Sequence, residues 1–218
     1  MIKLYYGSGA CSFVPHVALE AIRAVGGEAF EALPVRLHKG EQQSPEFLAL
    51  NPDGQVPVLV VDGQPLTQIV AICDYLDRRC PQARLLPQQP WARAQALSRL
   101  AWMNSTAHPT FTRIFMTERF AGDAAARADV RATAVEQYRA HLDRIDGWAR
   151  QATPFLLGEA PSVLDAYALT LLRWGGFAGI EPDGFPALAA LIEQLVQWPP
   201  VAAAMARERI TMQVPRAA

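Results

Sequence analysis

Strand-forming sequence is confined to the first eighty of the 218 residues, and no segment after Trp91 restores it. Ile2–Tyr6 is β-rich and closes at Gly7-Ser8-Gly9. Residues 13–25 carry apolar side chains at helical spacing (Val14, Val17, Ala18, Ala21, Ile22, Val25) and stop at Gly26-Gly27. Residues 33–37 read as a second strand, 45–50 as a short helical turn and 56–61 as a third strand. Asp62-Gly63 is a hairpin signal leading into 65–67, and Ile69–Arg79 completes the unit as a helix. A βαβ unit followed by a hairpin and a helix predicts an α/β layer with a mixed sheet. Pro81, Pro87 and Pro90, set among glutamines, mark 81–90 as a linker. Beyond it the pattern predicts long helices over 91–120, 123–151, 162–174 and 186–208. The expected organisation is an α/β module at 1–80 and a larger all-α module at 91–218.

Charge and cysteine usage narrow the function classes. Lys and Arg number 20 against 21 Asp and Glu, so no global field draws the chain to nucleic acid or to an anionic membrane. The three cysteines, Cys11, Cys73 and Cys80, are too few for a disulfide framework. No secretory signal and no long apolar run is visible, which makes a soluble cytoplasmic protein the expectation.

Cys11 stands in the turn between the first strand and the first helix. Unpaired amides and the helix dipole there favour a thiolate, and a ligand sulfur nearby would feel the same field. A small buried turn residue is the bland alternative. Tyr6 and Ser12 are neighbouring hydroxyl candidates for the same stabilising task. Gly7-Ser8-Gly9 lacks the third glycine of a dinucleotide loop, and no Walker lysine follows it. Pro57 cannot donate to a strand ladder. It is either a rigid edge proline or a cis kink that presents the Val56 backbone to a peptide-like ligand. Thr67-Gln68-Ile69 enters a helix whose first amides could hold a carboxylate. His108 precedes a helix-bending Pro109, and His16, His38 and His141 show no metal-site spacing, so no metal is expected. No nucleophile elbow of a serine hydrolase occurs. Ser162 and Asp165 form a capping box, and the apolar helix after it belongs at the centre of the helical module.

Together, LYYGSGACS, NPDGQVPVL, PLTQIVAICDYL, STAHPTF and SVLDAYALTLLRW resemble the glutathione transferase family, most closely its bacterial beta class, over residues 1–208. The resemblance implies a thioredoxin-like, glutathione-binding N-terminal domain, an all-α C-terminal domain with a hydrophobic substrate site, and a homodimer. It makes Cys11 the active-site cysteine beside the glutathione sulfur and His108 a catalytic neighbour of the thiol. It assigns Gln55, Val56 and Pro57 to the segment that pairs with the tripeptide, and Gln68 and Ile69 to the γ-glutamyl end. Lys39 lies near the position of a basic residue that helps to hold it. Ile69 departs from the family's hydroxyl or glycine, and its branched side chain would crowd the carboxylate. Ala101 stands where the beta class often has a polar residue.

The function expected from this likeness is conjugation of the glutathione thiolate to apolar electrophiles, with thiol–disulfide exchange through Cys11 as a variant. Phe13, Phe111, Phe115 and Trp174 are the substrate-side candidates. The competing expectation is a non-catalytic ligand carrier on the same fold, which Ile69 keeps open. Neither expectation includes a nucleic acid or membrane partner.

Overall fold

A computed structural model describes residues 1–212; residues 213–218 of the expected helical module lie outside the described part. Four strands form one sheet in the order β2-β1-β3-β4. They are β1 (Ile2–Tyr6), β2 (Phe30–Pro34), β3 (Val58–Val61) and β4 (Gln64–Thr67). β1 runs parallel to β2 and antiparallel to β3, and the β3–β4 hairpin turns at Asp62 and Gly63, both at positive φ. Helices α1 (Phe13–Ala24) and α3 (Ile69–Arg79) pack on this layer, and the short α2 (Pro45–Leu48) lies between β2 and β3.

The second strand falls three residues earlier than the sequence suggests. β1 sets its register, pairing Ile2 with Phe30 and Tyr6 with Pro34. As an edge strand it packs only in part, so its composition is not markedly apolar. The apolar run at 33–37 instead carries the chain into a 3-10 turn at Leu37–Lys39.

The remaining helices are α4 (Pro90–Trp102), α5 (His108–Phe115), α6 (Ala124–Ala149), α7 (Val163–Gly175), α8 (Pro186–Leu195) and α9 (Pro199–Glu208). Two expected helices are each divided. A π-helical turn at Met103–Ala107 separates α4 from α5, directly before the proline that cannot donate to the ladder. Pro199-Pro200 stops one helix and starts the next. α7 is buried almost throughout, and its capping box is formed: Ser162 Oγ accepts from Leu164 N, and Asp165 accepts from Ser162 N at 2.8 Å. Among the described residues no helix is long and apolar enough to cross a membrane.

The expected linker is pinned into the body. Leu85 and Leu86 are buried, and Asp77 accepts from the Leu86 amide at 3.0 Å. Arg93 bridges Asp74 and Asp77 at 2.5 and 2.6 Å, tying α4 to α3.

Candidate active site

The turn from β1 into α1 is held from both sides of the molecule. Its own bonds include Gly7 N to Ser12 Oγ at 3.0 Å and Ser12 Oγ back to Gly7 O at 3.2 Å. The end of α9 supplies the rest. Ser8 Oγ donates to Glu208 O at 2.5 Å, and Gly9 N donates to Glu208 Oε2 at 2.8 Å. Glu208 Oε1 lies 2.8 Å from His16 Nδ1, with both side chains fully buried. Trp174 Nε1 of α7 donates to Gly9 O at 2.9 Å. Both backbone polar groups of Gly9 are thereby fixed, two residues before Cys11.

Cys11 is 8% exposed, and its Sγ lies 3.5 Å from the Val56 carbonyl oxygen, to which it donates. The Val56-Pro57 bond is cis. Burial pushes the thiol up to about 12, against a smaller pull in the other direction from the Cys11 and Ser12 amides. The expected acidifying effect of the helix start is therefore present but outweighed. Cys11 is thus a neutral donor at pH 7.

His108 meets Trp174 edge-to-face at 4.8 Å, and its Nδ1 lies 2.9 Å from the Tyr167 hydroxyl. Tyr167 donates onward to Asn104 Oδ1 at 3.2 Å, so with this amide orientation Nδ1 carries the proton and Nε2 is the open acceptor. Burial lowers the His108 pKa to about 4, leaving the ring neutral at pH 7. Ionisation of Tyr167 is opposed by burial and then by the charge of ionised Cys11, an electrostatic link between the two groups.

Helix α3 begins without a side-chain cap. Gln68 is exposed and adopts φ 71°, a strained conformation for a residue with a side chain. Ile69 is 3% exposed and packs in the core, so it presents its backbone to this helix end and its side chain does not crowd it. Lys39 is exposed at the end of its 3-10 turn. Gln55 is exposed, and its carbonyl accepts from Asn51 Nδ2 at 2.7 Å.

The aromatic candidates separate. Phe13 is 1% exposed and belongs to the core, where a substrate cannot reach it. Trp174 and Phe111 are buried and stacked at 4.6 Å, 20° from parallel. Phe115 is the exposed end of this stack, 5.7 Å from Phe111. Ser12 is fully buried, and Tyr6 turns inward against His16, so neither hydroxyl is presented to a ligand. Ala101 is exposed on α4. Sequence reasoning missed Asn104, Tyr167, Phe177 and Glu208, each of which meets the site only through long-range packing.

A thiol at a βα turn, a neighbouring backbone segment at a cis proline, an uncapped helix start and an aromatic wall are thus gathered in a protein of thioredoxin-like plus helical design. The chain matches the family description "Glutathione S-transferase, N-terminal domain" over residues 1–78 and "Glutathione S-transferase, C-terminal domain" over 103–199. It belongs to the glutathione S-transferase family. Glutathione S-transferase GST-4.5 of Xanthomonas campestris is 31% identical over 211 residues, covering 95% of this chain and 98% of that protein. The crystal structure of a Sulfitobacter glutathione transferase homolog with bound glutathione superposes with a TM-score of 0.87 at 27% identity, covering 96% of this chain and 99% of its own. A maleylacetoacetate isomerase of Pseudomonas aeruginosa is 40% identical over 112 residues, about half of each chain (50% and 51%).

Proposed function

We propose that this protein is a beta-class glutathione transferase that conjugates the glutathione sulfur to apolar electrophiles. The observation that carries the reading is the approach of the Cys11 thiol to the Val56 carbonyl at 3.5 Å. A peptide thiol laid along the Val56 backbone would bring its sulfur beside Cys11. A neutral Cys11 then serves as a hydrogen-bond donor to the glutathione thiolate, whereas disulfide exchange would need Cys11 itself ionised. The bare α3 amides and Gln68 suit the γ-glutamyl carboxylate, Lys39 suits the glycyl end, and Gln55 and Pro57 shape the segment between. Neutral His108, with Nε2 open, orients the thiol end of the site.

Calorimetric titration of the reduced protein with reduced glutathione tests the first half. One site per chain with Kd below about 1 mM is expected. Conjugation of 1-chloro-2,4-dinitrobenzene by wild type and Cys11→Ala tests the second. Loss of turnover with binding retained assigns Cys11 to sulfur stabilisation, and unchanged turnover removes it from the mechanism. Burial of the Ile69 side chain removes crowding as a ground for the carrier alternative, and the hydroxyl missing at that position is its remaining ground.

The local 40% likeness to the isomerase favours one second reading, glutathione-dependent isomerisation. Turnover of maleylacetoacetate without net consumption of glutathione would select it. We further propose a homodimer, which sedimentation would reveal as twice the chain mass of 23.9 kDa.

A further inference from the structure

The Cys11 turn and the aromatic stack meet at a cation that the proposed chemistry leaves unused. The Arg173 guanidinium lies against Gly9: a Cβ added to that glycine would sit 2.9 Å from Nη1. Its Cζ stands 6.0 Å from the centre of the Phe177 ring. Phe177 meets Phe115 edge-on at 5.6 Å, and Phe115 is 58% exposed. One side chain therefore joins the turn that carries the thiol to an open aromatic surface.

The bonds Arg173 makes to the described residues do not use its charge. Nε donates to the Thr211 carbonyl at 2.7 Å, and no carboxylate among the described residues lies within ion-pair distance of the guanidinium. Glu208 acts on it electrostatically, but the Glu208 oxygens are bonded to His16 and Gly9 at 2.8 Å each. Partial burial also weakens the guanidinium's hold on its proton, the mark of a cation whose lost solvation is only partly replaced. A bound anion would replace it.

We infer that Arg173 makes this site selective for aromatic electrophiles bearing a negatively charged group, with the ring against Phe115 and Phe177 and the anion on the guanidinium. The inference rests on the transferase reading. It narrows the substrate class from apolar electrophiles to amphipathic ones. With a chloronitroarene, the glutathione sulfur forms the new C–S bond. Chloride leaves with the electron pair of the C–Cl bond, and the thiol proton passes to buffer.

The test compares kcat/KM for 4-chloro-3,5-dinitrobenzoate with that for neutral 1-chloro-2,4-dinitrobenzene, each divided by its uncatalysed rate with glutathione. Wild type is expected to favour the carboxylate by about tenfold or more, the factor that charge-assisted hydrogen bonds confer. Arg173→Gln keeps a donor for the Thr211 carbonyl but abolishes the preference, while Arg173→Lys retains part of it. The neutral substrate changes less than about threefold across all three proteins, well under that charge-dependent factor. Raising salt from about 0.02 to 0.5 M shrinks the preference of wild type and of Arg173→Lys and leaves Arg173→Gln unchanged. Conjugation of both arenes with no charge preference, or an equal loss on both in Arg173→Gln and Arg173→Lys, overturns the inference and leaves the transferase reading standing. Conjugation of neither arene by wild type overturns the transferase reading and the inference with it.

Discussion

Two opposing effects act on the Cys11 sulfur. The amides of Cys11 and Ser12 pull its pKa down, burial pushes it up, and burial prevails at about 12. In the free protein, alkylation of Cys11 by iodoacetamide should therefore be slow and rise about tenfold per pH unit from 7 to 10. A plateau below pH 9 would show an acidified thiol instead. His108 is shifted the opposite way for the same reason. Its folded pKa, about 4, lies below the ordinary value of 6.5, so the unfolded chain binds the proton more readily. The stability this confers is complete above the unfolded value and is lost as pH falls from 6.5 towards 4. Denaturant titrations at pH 7 and pH 4 should differ by up to about 3 kcal/mol from this group, and His108→Asn should remove that part of the difference.

At the scale of elements, the start of α3 shows how a side chain and its backbone can face different tasks. Ile69→Ser restores a hydroxyl by type, yet the side chain is 3% exposed and packs in the core. The substitution should cost at least about 2 kcal/mol in denaturant unfolding and leave glutathione affinity unimproved. A tighter Kd in calorimetry would refute this placement. Ser162→Ala should cost about 1 kcal/mol through the α7 cap, read by the same unfolding titration. Both the cap and the order of strands and helices were legible in the sequence, because each follows from local spacing. Cys11, Val56 and Pro57 stood out by residue type, but that Pro57 is cis and that Cys11 Sγ meets the Val56 carbonyl came from the structure. The edge strand was displaced because β1 sets its register from outside. The π turn before His108 was not legible, since Pro109 announces a disturbance but not its form. Glu208 gave no signal, because an acidic residue near the end of an amphipathic helix ordinarily faces solvent.

At the scale of the molecule, α9 acts as a clasp on the βα turn. Glu208→Gln keeps an acceptor for Gly9 N but loses the charge paired with His16, and it should cost about 1–3 kcal/mol. It should also weaken glutathione binding, because the turn carrying Cys11 loosens; calorimetry on the folded variant checks this, and an unchanged Kd would make the clasp purely structural. The partners in it are 199 and 200 positions apart along the chain. A ribosome builds from the amino end, so Ser8 and Gly9 emerge early and wait for a carboxylate translated far later. The βα turn thus gains its clasp only after α9 has been made.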